Sequence, residues 1–294
     1  MGMIRADRLY QLSVAFVLLL VGLAMIVPFF YILAVSFTDS SVYEPNKLIL
    51  WPAEWSADAY KYILFGNGFN TALRSSLFVT LAGTPLALAI SATFAYMVSK
   101  SYLPGRTAML RLLVLTILFS PGLIPNYLVV RNLGLLESWW SLILPVVTNA
   151  WTVLVLKSFF QGIPQELEES AKIDGCNDMG IFMRIILPLS KAPLAAFTLF
   201  FAVAFWNTYF NAIIYINDSV KWPLQVYLQQ IVLAANASRF IDSQALTQLQ
   251  LGSTPPEETM KMAAVIAVMA PIVLVYPFLQ KHFAQGVLIG SVKE

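Results

Sequence analysis

Nucleophiles, metal ligands and phosphate-binding loops are the residues that could do covalent chemistry, and this sequence carries almost none. His282 is its only histidine and Cys176 its only cysteine, so a zinc site built on paired histidines and an internal disulfide are both excluded. A nucleotide-binding loop needs a G-x4-GK-[ST] run. The nearest string, Gly175 to Gly180, is followed by Ile181 and Phe182, with no lysine to reach a phosphate. Two polar groupings remain. One is acidic: Glu166, Glu168 and Glu169, then Asp174 and Asp178. The other is a set of amides and aromatics inside apolar stretches: Asn126 with Tyr127, Asn149 with Trp151, and Trp206, Asn207, Tyr209 and Asn211. An asparagine in apolar surroundings needs a hydrogen-bond partner, which a neighbouring helix or a polar ligand can equally supply. The aromatics can stack on a ligand ring or anchor at a membrane interface.

The elements that must position these residues are membrane helices. Of 294 residues, 59% are hydrophobic and 12% charged, about half the charged share of a soluble domain, and the mean hydropathy is +0.73. So much apolar surface needs lipid as solvent for part of the chain. A net charge of +2 argues against nucleic acid as a partner. Uncharged runs of roughly 18 or more residues, enough to cross the hydrocarbon, place spans at about 12–36, 75–99, 112–130, 138–156, 192–216 and 262–280. The first run is far longer than the roughly 7–15 apolar residues of a signal peptide, so it is expected to persist as a helix. Pro28, Pro85, Pro271 and Pro277 fall inside the runs, where neighbouring groups can satisfy the freed carbonyls. The fifth span puts Asn207 and Asn211 four residues apart, on one helical face.

Six spans place both termini on one side. With that side cytoplasmic, the inner segments hold eleven of the 18 basic residues and the two sides differ in net charge, positive inside and negative outside. Two exterior loops are long, 39–71 and 217–260. The second contains a stretch from Trp222 to Ser238 whose Leu224, Tyr227, Leu228, Ile231 and Ala235 recur at helical spacing. Its Gln225, Gln229, Gln230 and Asn236 are too polar for lipid, so the reading is an amphipathic helix outside the bilayer. One membrane domain, 1–294, is the simplest partition.

The cytoplasmic loop 163–188 is the most informative segment. Pro164 suits a first helical turn, and the acidic residues after it suit the positive end of a helix. Gly175 reads as a stop and Asn177 or Asp178 as a cap for a second short helix, which should end before Pro188. Ala171 and Gly175 lie four apart, and small residues there would let another surface approach closely. On physical grounds a well-capped linker and a docking element are about equally supported.

The letters add to this. Glu169-Ser170-Ala171, three residues, Gly175, nine residues, Ile185, one residue and Leu187-Pro188 match the pattern EAA-x3-G-x9-I-x-LP, with serine for the middle alanine. That is the signature of permeases in ATP-binding-cassette (ABC) importers. Supporting stretches are FSPGLIPNYLVVRNLGLL (119–136), WNTYFNA (206–212), WPLQVYLQQI (222–231), PPEETMKMA (255–263) and FAQGVLIGSVK (283–293). Over nearly its whole length the chain resembles the MalG-type permease subunits of carbohydrate importers, in the branch serving polysaccharide, lipo-oligosaccharide and alginate-fragment uptake.

The resemblance implies an all-α, polytopic membrane protein with six transmembrane helices and the type I importer permease fold, its termini cytoplasmic and its place the bacterial inner membrane. It implies no catalysis and no bound cofactor or metal; ATP and magnesium would sit on two separate ATPase subunits. The other partners implied are a homologous second permease, an external solute-binding protein, a sugar or oligosaccharide substrate, and membrane lipid. Glu169, Ala171, Asp174 and Gly175 become the ATPase-coupling residues. Asn207, Asn211, Asn149, Trp151, Tyr209 and Asn126 become the candidates for the sugar pathway. An ion-coupled secondary transporter predicts buried charges in the spans or an inverted repeat, and the runs hold no charge. A non-transporting scaffold predicts no ATPase in the complex.

Overall fold

The computed structural model describes residues 2–39, 41–44, 47–238 and 257–290. Among these the chain is almost entirely helical, and the extended pairing is an isolated antiparallel bridge between Thr38 and Trp55. The helices are α1 (Gly2–Ser36), α2 (Asp58–Phe65), α3 (Asn67–Ser99), α4 (Arg106–Leu118), α5 (Leu123–Asn132), α6 (Trp140–Ile143), α7 (Ala150–Gln161) and α8 (Gln165–Ile173). They continue with α9 (Asp178–Ile181), α10 (Leu187–Leu189), α11 (Lys191–Trp206), α12 (Phe210–Tyr215), α13 (Leu224–Ser238) and α14 (Glu257–Gly290).

The prolines expected inside helices are there: Pro28 in α1, Pro85 in α3, Pro271 and Pro277 in α14. The breaks fall elsewhere. Among the described residues, two continuous helices, Tyr10–Ser36 and Gly68–Ser99, are long and apolar enough to cross a membrane. The run at 112–130 is divided between α4 and α5 by Ser120-Pro121-Gly122, with Gly122 at φ +80. The run at 138–156 is bent by 55° between Trp140–Val146 and Ala150–Gln161. The run at 192–216 is interrupted at 207–209, between α11 and α12, and α11 itself follows an 84° bend from Asp178–Leu189. The runs are apolar throughout, so hydropathy alone cannot register these breaks; a turn residue does.

The chain divides into two compact units, Met1–Phe69 with Leu228–Ala270, and Asn70–Tyr227 with Pro271–Glu294. In the first, the side chains along α1 from Tyr10 to Leu33 are mostly exposed, and burial begins at Ala34, Val35 and Ser36. A helix apolar on all faces and bare of protein contacts is built for lipid or for another chain. The loop after it contains a helix the sequence did not announce, α2. Ser36 Oγ lies 2.8 Å from the Tyr60 hydroxyl, and Phe37 packs on Trp55 and Tyr60 with ring centroids 5.8 and 4.7 Å away. Ala59 and Ile63 bury the inner face of α2, and Thr259, Ala263, Ala264 and Val268 bury one face of α14.

The second unit holds the larger core. Its helices meet along stripes at three- and four-residue spacing: Ala87, Ser91, Ala95 and Val98 on α3, Val153, Leu156 and Phe160 on α7, Phe197, Phe201 and Phe205 on α11. Small residues on α3 let backbones approach. A Cβ built on Gly83 would stand 2.9 Å from the Phe205 ring. Ser91 and Thr148 share a hydroxyl–hydroxyl hydrogen bond of 2.8 Å.

Candidate functional site

Helix α8 is short, acidic at its start and basic at its end, with Glu166 and Glu168 in the first turn and Lys172 in the last, the sense that complements the helix dipole. Pro164 occupies the N-cap position rather than the first turn. The helix ends in two hydrogen bonds. The Gly175 N–H donates to the Lys172 carbonyl at 3.0 Å, and the Cys176 N–H to the Ala171 carbonyl at 2.9 Å. This double closure requires a left-handed residue at its corner, and Gly175 sits at φ +85. Asn177 caps α9, its Oδ1 accepting from the Gly180 N–H at 2.8 Å; Asp178 instead pairs with Lys172 at 3.4 Å.

The expected stop before Pro188 does not occur. The backbone widens into a π-helical turn at Phe182–Ile186, and Pro188 falls in the first turn of α10. The wider turn carries the chain past a residue that lacks an N–H. Of the four residues expected at a coupling surface, Glu169, Asp174 and Gly175 are exposed. Ala171 is 8% exposed and belongs to the core. Its methyl holds the turn from behind and does not form an open face with Gly175.

Most of the residues gripping α8, Lys100, Tyr96, Gln161 and Tyr102, were not among those singled out by sequence. Lys100, just past α3, forms an ion pair with Glu168, and each side chain is only 13% exposed. The Lys100 ammonium also lies 4.2 Å from the centre of the Tyr96 ring, which stacks on Phe182 at 4.8 Å. Gln161 Nε2 donates to the Ser99 carbonyl at 3.1 Å. A more exposed tie runs parallel: Lys172 sits 4.7 Å over the Tyr102 ring and beside Asp178. Burial, reinforced by Asp178, raises the Tyr102 hydroxyl above the usual phenol value. Slight burial works against the Lys172 charge, but Tyr102 and Asp178 outweigh it and hold the ammonium above the usual lysine value. Between the two ties lies a cleft of about 440 Å³, lined by 99–102, Gln161 and residues of α8. Lys100 could have been noticed as the charge that ends a long apolar run. Its partner lies 68 residues on, which no local pattern reveals.

The pathway candidates separate. Asn149 is the N-cap of α7, its Oδ1 accepting from the Thr152 N–H at 2.9 Å. Trp151 is 56% exposed, with an edge contact to Phe197 at 5.6 Å. Asn126 is exposed on α5. Asn207 and Asn211 do not share a continuous helical face, because α11 ends at Trp206 and α12 begins at Phe210. Asn207 Oδ1 instead accepts from Gln225 Nε2 at 3.0 Å, with both groups exposed, and Tyr209 is half-buried against the core.

The same unit holds a second clasp. Glu137 is a non-glycine residue with left-handed backbone, φ 58. Its carboxylate accepts from the Asn217 N–H at 2.9 Å, the Asn217 amide at 2.7 Å and the Asp218 N–H at 3.1 Å. These donors hold its carboxyl below the usual glutamate value. Among the described residues no cluster of three His, Cys, Asp or Glu side chains could hold a metal ion.

The family described as "binding-protein-dependent transport system inner membrane component" matches residues 2–289. The chain belongs to this family. It is 47% identical over 287 residues to the polygalacturonan/rhamnogalacturonan transport system permease protein YtcP of Bacillus subtilis, a match covering 98% of this chain and 99% of that protein. It is 43% identical over 289 residues to Protein LplC of the same organism, covering 98% and 96%. Among solved structures it resembles a chain of a bacterial ABC transporter involved in the import of the acidic polysaccharide alginate, with a TM-score of 0.85 and 30% identity, covering 95% and 98%. The family resemblance read from Glu169 to Pro188 is therefore borne out. In a binding-protein-dependent inner-membrane component, catalysis of ATP hydrolysis falls to another subunit, and this chain is the permease.

Proposed function

We propose that this chain is the permease subunit of an ATP-driven bacterial importer that carries sugars or oligosaccharides, including uronate-rich fragments such as those of polygalacturonan or alginate, across the inner membrane by alternating access. The observation that carries the reading is the α8 turn. A Schellman closure fixes it, Ala171 anchors it from behind, and Glu169, Asp174 and Gly175 face outward. A rigid acidic knob of this kind suits a basic groove on another subunit.

The proposed topology has six spans with both termini cytoplasmic. The inside-positive charge bias supports it, as do the two long apolar helices and the bent apolar pair Trp140–Val146 with Ala150–Gln161. A homologous permease would complete the pathway, and a solute-binding protein would deliver substrate from outside, where the exterior loop carrying α13 would lie. Two ATPase subunits holding ATP and magnesium would dock on the coupling turns. ATP binding would draw the turns together and open the pathway outward; hydrolysis would reverse this. Along the pathway Asn207 with Gln225, Asn211, Tyr209, Asn126 and Trp151 would offer amide hydrogen bonds and ring surfaces to sugar hydroxyls and ring faces, with Asn149 fixing the start of α7. The spans carry no charge, so an acidic sugar would be recognised electrostatically at span ends or by a partner.

The test is uptake into proteoliposomes containing the whole complex and its binding protein. ATP-dependent accumulation of labelled oligogalacturonide or alginate oligosaccharide is expected, with competition among sugars. Accumulation that ignores internal ATP and follows an imposed proton or sodium gradient would overturn the reading.

A further inference from the structure

The core grips α8 through a single buried side chain. Ala171 is the one residue of α8 that is buried, and a cleft of about 440 Å³ runs along the side of α8 that faces the end of α3. Apolar burial on α8 is thus confined to Ala171, which belongs to the core that α3 helps to build. The polar contact that bridges α8 and the end of α3 is the pair Lys100–Glu168, with both side chains 13% exposed.

Everything around the pair makes it stiff on the α3 side. Tyr96, one turn before Lys100, carries the ammonium on its ring at 4.2 Å. The same ring stacks on Phe182 and meets Phe160 edge-on at 6.4 Å. Ser99, the last residue of α3, accepts a hydrogen bond from Gln161 at the end of α7. The end of α3 is thus gripped on both sides of the Gly175 turn, by Glu168 before it and Phe182 after it. The second tie, Lys172 with Asp178, is 45% and 53% exposed and so is screened by water and salt.

We propose that the Lys100–Glu168 pair is the joint that passes movement of α8 into α3, and that both are positioning residues for coupling ATP hydrolysis to transport. This rests on the importer reading above. With the joint intact, displacement of the α8 turn carries α3, a long helix lining the second unit's core. With one partner neutral, α8 has room in the adjacent cleft to move without α3, and ATP is hydrolysed without a matching movement of sugar.

The test uses the complete complex with its binding protein in proteoliposomes, measuring sugar moved per ATP hydrolysed. Lys100→Met and Glu168→Gln are expected to lower that ratio at least about fivefold, the low end of an ordinary coupling free energy. The double exchange Lys100→Glu with Glu168→Lys restores the pair with its charges reversed and is expected to return the ratio toward that of the unaltered protein. An unchanged ratio in both single variants overturns the proposal, whatever happens to the absolute rates, because transport and hydrolysis then fall together as for any loss of folded complex. Should the single variants fail to assemble, the exchange variant decides. Assembly with a normal ratio supports the joint; no assembly, or a low ratio, overturns it. An unaltered chain that recruits no ATPase subunit would instead bring down the importer reading itself.

Discussion

Replacing Gly175 separates two reasons why a glycine can be required. Gly175 holds φ +85, and a Cβ built on it meets no atom of the chain within 4 Å. Alanine therefore has space but not conformation, and its cost within the chain is the left-handed backbone alone, about 1–2 kcal/mol. Asparagine adopts this region more readily than alanine, and valine, branched at Cβ, less readily. A substituted turn that relaxes away from this geometry must be restored to it on the ATPase subunit, so the apparent Kd weakens by up to that amount, roughly 5–30-fold. The assay is titration of the purified ATPase subunit onto the permease pair in nanodiscs, read by interferometry. The expected order of affinity is Gly, then Asn, then Ala, then Val. Equal binding by all four would refute the backbone argument. Asparagine binding worse than alanine would also refute it, because side-chain bulk against the partner, not φ, would then set the affinity.

Further outcomes follow from other sites. Glu137 has a lowered carboxyl, so its clasp on Asn217 and Asp218 contributes fully above the ordinary value of 4.5 and is lost as pH falls through the lower folded value; thermal melts of the complex should lose stability below about pH 5 more steeply for the unaltered protein than for Glu137→Gln. Gly83→Val forces a side chain into the Phe205 ring, an overpacking worth about 1–3 kcal/mol. It should lower the melting temperature, with partial recovery when Phe205→Leu is added. Asn207→Ala leaves Gln225 without its partner at the helix break and should raise KM for the sugar while ATPase docking, measured by the same titration, is unchanged; an unchanged KM would remove Asn207 from the pathway.

The helices that lie along uncharged runs were legible because lipid selects residues for one property, and that property survives averaging over a window. The first two runs became continuous helices for that reason, and Pro28 and Pro85 did not break them. The sixth run, 262–280, also lies within one helix, α14; what broke the third, fourth and fifth was local: Gly122 with positive φ, Asn149 as a cap, the 207–209 turn. In sequence these read as polar or small residues on a helical face, so Asn207 and Asn211 were placed together when the chain turns between them. The coupling segment was legible down to Gly175 and Asn177, whose roles are dictated by backbone geometry within a few residues. The direction of Ala171 was not, because whether a small residue faces in or out depends on what the core brings up behind it. Lys100 with Glu168, and Glu137 with Asn217, join points 68 and 80 residues apart; each is an ordinary surface charge until the fold places its partner.

The central claim is that this chain moves sugar on behalf of an ATPase it does not contain. The most direct measurement is to purify the tagged chain from its own membrane in mild detergent and determine, by native mass spectrometry, what accompanies it. One copy of this chain with one related permease and two ATPase subunits is expected, with loss of the ATPase when Glu169 and Asp174 are both reversed to lysine. Recovery of the chain alone, or only with further copies of itself, would contradict it.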